Sequence, residues 1–270
     1  MGLSTQRWPY GVTSLFCTTL LSAILVTLTD VASSQAEDFR IQTKIYVGDA
    51  EQPVSETTTL FLDGVVYDFL ETPEQIAVFK KPSAGKPGRF ILLDPVHRTR
   101  TEFTTDQVDG AITKLRSWAA RQSDPFLEFA ANPTFEESFD SKSGQLVLAS
   151  HFENYTVATS PAEHQQSLAE YREFLDWYAQ LNTLLSAGPP PEPRLRLNAA
   201  LAKHGVVPTK VELSRAGESE PMRAEHEFTW RLSREDVERI DDVRASLAAY
   251  RSVPNEAYLQ TTQVERETAD

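Results

Sequence analysis

Apolar and polar positions first alternate over Phe39 to Val47, where Phe39, Ile41, Ile45 and Val47 keep a period of two. That is the spacing of a half-buried strand. Two more apolar runs, Thr57 to Leu62 and Val65 to Leu70, flank Asp63-Gly64. Asp-Gly between such runs predicts a tight hairpin, because its turn needs positive φ. Ile76 to Phe79 and Phe90 to Leu93 form a further pair, joined by a segment rich in proline and glycine. Asp94-Pro95 then turns the chain into a strand over Arg98 to Phe103, so the first third reads as an antiparallel meander.

The period changes after Thr105. Val108, Ile112, Leu115 and Ala119 share one helical face, which predicts a helix from a cap at Thr105 or Asp106 to about Gln122. Asp124-Pro125 and Asn132-Pro133 bracket an irregular apolar piece over 126–131. Strands resume at Thr134 to Phe139 and Gln145 to Ser150, and His151 to Thr159 continues them. Ser160-Pro161 opens the longest helix, to about Ser186, with Leu168, Tyr171, Leu175, Tyr178, Leu181 and Leu185 at spacings of three and four. Gly188 to Pro193 holds four prolines and ends it, since proline cannot continue the hydrogen-bond ladder. A short helix over Pro193 to Lys203, a hairpin of Thr209 to Arg215 with Arg223 to Leu232, and a helix after Ser233 complete the pattern.

The first 36 residues follow a different rule. Arg7 precedes a stretch without charge from Gly11 to Thr29, and small residues end it at Ser34 and Ala36. This is the pattern of a secretory signal peptide, with the cut after Ala36. A spanning helix needs about 20 predominantly apolar residues, and Thr13, Ser14, Thr18, Thr19, Ser22 and Thr27 dilute this one. Cys17 follows Phe16, where a lipid-attachment motif wants a small residue, and it lies inside the apolar stretch. Cleavage removes the only cysteine, so the mature chain is exported, periplasmic or secreted, without disulfides and without a stable membrane span. Residues 37–253 are then a single α+β domain, with a sub-boundary at the 188–193 connector, and 254–270 are a flexible acidic tail.

Arg7 and Asp30 cancel, so export leaves the net charge at −13. That balance argues against nucleic acid as a partner. Against it, Lys80, Lys81, Lys86, Arg89, Arg98 and Arg100 face one acid, Asp94, between residues 80 and 101. This is a patch for an anionic partner such as a lipid head group or an acidic protein segment, or else a charged hairpin edge that discourages pairing. Phe174, Trp177 and Tyr178 on the long helix either line a pocket for an apolar ligand or pack as core. His97, His151, His164, His204 and His226 have no spacing that places two of them on one metal. No Gly-x-Ser-x-Gly, His-Glu-x-x-His or phosphate-binding glycine loop is present, so no catalytic residue, metal or cofactor is assigned.

The order of elements resembles a family. Thr59-Leu60-Phe61-Leu62-Asp63-Gly64-Val65-Val66-Tyr67, then Phe90-Ile91-Leu92-Leu93-Asp94-Pro95 and the helix after Thr105, look like the LolA/LolB-like superfamily of periplasmic lipoprotein carriers. The likeness is architectural, spans about residues 39 to 232 and assigns no residue a role. It implies one strongly curved antiparallel sheet, half-barrel-like, covered by helices around an apolar cavity. The function expected is that of an exported, non-catalytic binding protein, a carrier or sensor for an apolar or acylated ligand. The alternatives are a cell-envelope interaction module using the basic 80–101 patch, and a hydrolase. N-terminal sequencing of the exported protein is expected to begin at Glu37; a mature chain that keeps residues 11–29 would contradict the signal.

Overall fold

The computed structural model describes residues 38–72 and 74–260. The expected signal, its cut site and Cys17 lie outside them, as do residues 261–270. Six strands come first: β1 (Phe39–Val47), β2 (Ser55–Leu62), β3 (Val65–Leu70), β4 (Gln75–Lys80), β5 (Arg89–Asp94) and β6 (Thr99–Thr104). Helices α1 (Thr105–Ala119) and α2 (Pro125–Ala131) lead to β7 (Glu136–Asp140), β8 (Gln145–Ala149) and β9 (Glu153–Pro161). Then come α3 (Gln165–Ser186), α4 (Glu192–His204), β10 (Val206–Arg215), β11 (Met222–Thr229), α5 (Arg234–Ala249) and the two-residue β12 (Arg251–Ser252). Residues 255–260 are also helical.

All twelve strands belong to one sheet, ordered β12-β6-β5-β4-β3-β2-β1-β11-β10-β9-β8-β7. β1 pairs with β11, which joins the first meander to the second. Every neighbouring pair is antiparallel except β12 with β6, so the sheet is mixed rather than purely antiparallel, and it is open at β7 and β12.

Local chemistry sets the turns and caps. Asp63 and Gly64 both take positive φ, as the β2–β3 hairpin requires. Gly144 turns the β7–β8 hairpin at positive φ, and a Cβ there would lie 2.8 Å from the Thr159 carbonyl oxygen. The cap of α1 is Thr104 rather than Thr105 or Asp106. Its hydroxyl accepts from the Gln107 N–H, and the Gln107 side chain accepts from the Thr104 N–H. The irregular piece expected over 126–131 is instead helix α2. Pro125 occupies its first turn, and the Asp124 carboxylate accepts from the N–H groups of Phe126 and Leu127. α3 starts later than expected, because Ser160 and Pro161 stay in the sheet opposite Val207 and Val206. The acidic tail likewise departs from expectation at its start: Tyr258 is buried in the core, and the Thr101 hydroxyl bonds Val253 and Asn255.

Strand alternation divides the side chains between two faces. One lateral row runs through Phe39, Phe61, Val66, Phe79, Phe90 and Phe103, each opposite the next on β1 to β6. α1 and α3 cover this inner face with Val108, Ile112, Leu168, Tyr171 and Phe174. On the same face of β8 to β10, α4 packs Leu197, Ala200 and Leu201 on Leu146, Val157 and Val211. The outer face of the first meander, Leu60, Tyr67, Val78 and Ile91, is covered by Ile240 and Val243 of α5. Strands β2 to β5 are therefore buried on both faces, which explains their continuous apolar runs. Arg40 on the outer face of β1 reaches the Asp236 carboxylate at 3.2 Å, and Asp236 also closes the capping box of α5 with Ser233.

Phe79 is 2 % exposed and touches both Phe90 and Phe174. Phe79→Ala is expected to cost about 3–5 kcal/mol, measured as a lowered urea midpoint at unchanged slope. A loss below ~1 kcal/mol would mean the row is not the core it is taken to be.

Candidate functional site: the cavity under the proline connector

The large side chains of α3 do not face the whole inner surface equally. Phe174 stands edge-on to Phe61 at 5.8 Å, and Tyr178 stacks on Phe174 at 5.0 Å and tilts against Phe90 at 6.3 Å. This part of the sheet is filled. Farther along the helix, Ala179, Asn182, Thr183 and Ser186 follow one another at i, i+3, i+4 and i+7 and present a face of small side chains. Opposite them the strands carry Ile45, Val211, Leu213, Met222 and Ala224 in place of phenylalanines. Small against medium leaves space, and a cavity of about 490 Å³ opens there.

The connector after α3 forms its rim. Ala187 takes the left-handed conformation and ends the helix, and the Gly188 N–H then donates to the Thr183 carbonyl. The Thr183 hydroxyl donates to the Pro189 carbonyl at 3.3 Å, folding the connector back on the helix. Pro189, Pro190, Pro191 and Pro193 present apolar rings to the cavity, and Arg194 on the first turn of α4 enters it.

Polar groups gather at one end. Glu153 is 3 % exposed; its carboxylate accepts from Arg215 Nε at 2.8 Å and from the Tyr155 hydroxyl at 3.1 Å. Burial, with the Glu153 charge beside it, pushes the Tyr155 phenol well above its usual range, so the hydroxyl stays a donor. His226 also faces inward. Its Nδ1 lies 2.9 Å from the Thr43 hydroxyl, while Nε2 is buried without a hydrogen-bond partner among the described residues. Burial lowers its pKa to about 3, helped by the charge of Arg194, so the imidazole is neutral. Deeper in the core, Asp68 accepts from the Thr59 hydroxyl at 2.6 Å; burial drives its carboxyl up, and hydrogen bonds from Thr59 and Tyr178 only partly offset that.

The arrangement has the composition of a binding site: apolar walls, a few fixed polar groups and a volume within the roughly 300–1,000 Å³ usual for ligand pockets. The two shortest histidine–carboxylate pairs, Asp94–His97 at 2.6 Å and Glu137–His204 at 2.8 Å, lie on the β5–β6 turn and beside edge strand β7. Among the described residues no three His, Cys, Asp or Glu side chains gather as metal ligands, and no helix is long and apolar enough to cross a membrane.

Phe174, Trp177 and Tyr178, the residues expected to line a ligand pocket, lie together on α3, but none lines this cavity. Phe174 and Tyr178 pack into the core, and Trp177 lines a separate cavity of about 430 Å³ with Arg172 and Asp176. The basic residues between 80 and 101 do not form one patch. Lys80, Lys81, Lys86 and Arg89 belong to the β4–β5 hairpin end, whereas Arg98 and Arg100 lie at the other end of β5–β6, about 15 Å away at ~3.3 Å per residue. Lys81 pairs with Glu170 at 3.1 Å, Arg89 with Glu102 at 3.5 Å, and Arg98 sits over the Tyr250 ring. Sequence reasoning passed over Glu153, Arg194, Arg215 and the small face of α3. The signal for the last was present in the spacing of residues 179, 182, 183 and 186.

Comparison of the chain with protein-family models and with curated proteins finds no match.

Asp68 supplies a pH test of the inner face. Its folded-state pKa is raised, so its stabilising contribution is complete below the unfolded value, about 4, and is lost as pH rises through the folded value. Asp68→Asn, which keeps an acceptor for Thr59 and Tyr178, removes that loss. Between pH 5 and pH 8 the urea midpoint of the wild type is expected to fall relative to that of Asp68→Asn. A constant difference over this range would place the Asp68 titration in the ordinary carboxylate range.

Proposed function

We propose that this chain is an exported, non-catalytic binding protein, a carrier or sensor that holds an apolar or acylated ligand in the inner-face cavity. The observation that carries the reading is the gap between the small face of α3 and strands β9, β10, β11 and β1, where medium apolar side chains stand opposite small ones. A tightly packed protein of this size has no structural need for such a space, because voids forfeit contacts on every wall. The proline connector makes a stiff rim to the gap, and the bond from half-buried Arg215 to buried Glu153 fixes its polar end. The resemblance of the element order to the lipoprotein carriers, whose curved sheet wraps helices around an apolar cavity, supports the same reading. On this account the sheet curves around its helices as in that superfamily, and the protein acts in the periplasm or outside the cell.

Filling the cavity tests the proposal. Ala179 faces the space from α3, and a larger side chain there enters open volume. Ala179→Trp is expected to keep the wild-type unfolding midpoint within about 1 kcal/mol and to weaken uptake of a fluorescent fatty acid at least tenfold. Unchanged uptake would remove the cavity as the ligand site.

A further inference from the structure

Arg194 is half-buried and lines the cavity together with Tyr155 of β9, Ala179 of α3 and Ala224 of β11. It is thus placed among three elements of the inner face. Yet Arg194 makes no hydrogen bond or ion pair with any described residue. The acids near it are committed elsewhere. Glu153 accepts from Arg215 and Tyr155. Asp176 accepts from Asn198 Nδ2 at 2.9 Å and lies 3.4 Å from Arg172 Nε. A guanidinium carries five donors in a planar fork suited to carboxylate and phosphate. With none of them used by the protein, these donors stay available to a molecule in the cavity. The apolar walls of the cavity begin beside it, at Val211 and Leu213.

We infer that Arg194 recognises an oxyanion, the carboxylate or phosphate head of a single-chain apolar ligand whose tail lies against Ile45, Val211 and Leu213. This rests on the cavity being the ligand site. The ligand class narrows accordingly from apolar molecules in general to anionic amphiphiles. Arg215 anchors the polar end through Glu153, and Arg194 supplies a guanidinium at the cavity wall.

The test compares three probes with the same chain: dodecanoate, dodecyl phosphate and dodecanol, titrated into wild type and Arg194→Gln. Wild type is expected to bind at least one anionic probe tenfold or more tighter than dodecanol, and the tighter of the two identifies the head group. Arg194→Gln is expected to bind all three at the dodecanol affinity. Equal wild-type affinity for charged and uncharged chains overturns the inference while leaving the cavity reading standing, and so does a preference that survives Arg194→Gln. Failure of all three probes to bind wild type overturns both. Stability is the second readout: without ligand, Arg194→Gln should unfold at the same or a higher urea concentration than wild type. A marked fall would mean that Arg194 holds the fold together, and would overturn the inference.

Discussion

Five phenylalanines and one valine, one from each strand of the first meander, stand in a single line beneath α3, and the rest of the molecule is arranged around that contact. The line fixes register, because a slip of one residue would move every member of a strand to the opposite face. It fixes α3 as well. Tyr171, Phe174 and Tyr178 can reach Phe61, Phe79 and Phe90 only if the helix crosses the sheet where it does. The aromatic part of the helix is thereby used for folding. Along its remaining length Leu181 still enters the core, and only the face of Ala179, Asn182, Thr183 and Ser186 is small, turned to the cavity beside β11, β10 and β9. The cavity follows from how the large side chains are distributed along one helix.

The opposite face of the sheet explains why the first meander tolerates this load. α5 covers it with Ile240 and Val243, and Arg239 lies over the Phe69 ring at 3.9 Å. A sheet region buried on both faces is held rigidly. Among the described residues the outer side of β11 has no such cover, and Glu225, Glu227 and Thr229 are exposed there. The stiff half carries the core; the half covered on one face only carries the cavity and its polar end. Asp68 sits inside the stiff half, where an ionised carboxylate is costly, and Glu153 sits at the cavity, where Arg215 balances it.

Much of this was legible in the sequence. The alternation over 39–47, the Asp-Gly turn and the two buried runs around Asp94-Pro95 predicted the meander, and the three- and four-residue spacing predicted α1, α3 and α5. What could not be read had local causes. A six-residue apolar piece between two prolines looks irregular until the Asp124 side chain is seen accepting two N–H bonds. Pro161 reads as a helix start, yet strand pairing with Val206 keeps it in the sheet. The pairing of β11 with β1 joins residues nearly two hundred positions apart, which periodicity does not encode. Phe174, Trp177 and Tyr178 stand out in the sequence by their size, whereas the cavity under the proline connector is lined by the small side chains that follow them on α3. Arg194 was invisible as a special residue because its meaning lies in partners it does not have, and only a fold can show that.

The central claim is that the gap over β9, β10, β11 and β1 exists to be occupied. The most direct measurement is native mass spectrometry of the full protein, purified without detergent from the envelope or medium of its own host. The account predicts a species heavier than the polypeptide by the mass of one lipid-like molecule, released on denaturation. A bare polypeptide mass in every preparation, with no such molecule in the organic extract, would contradict it.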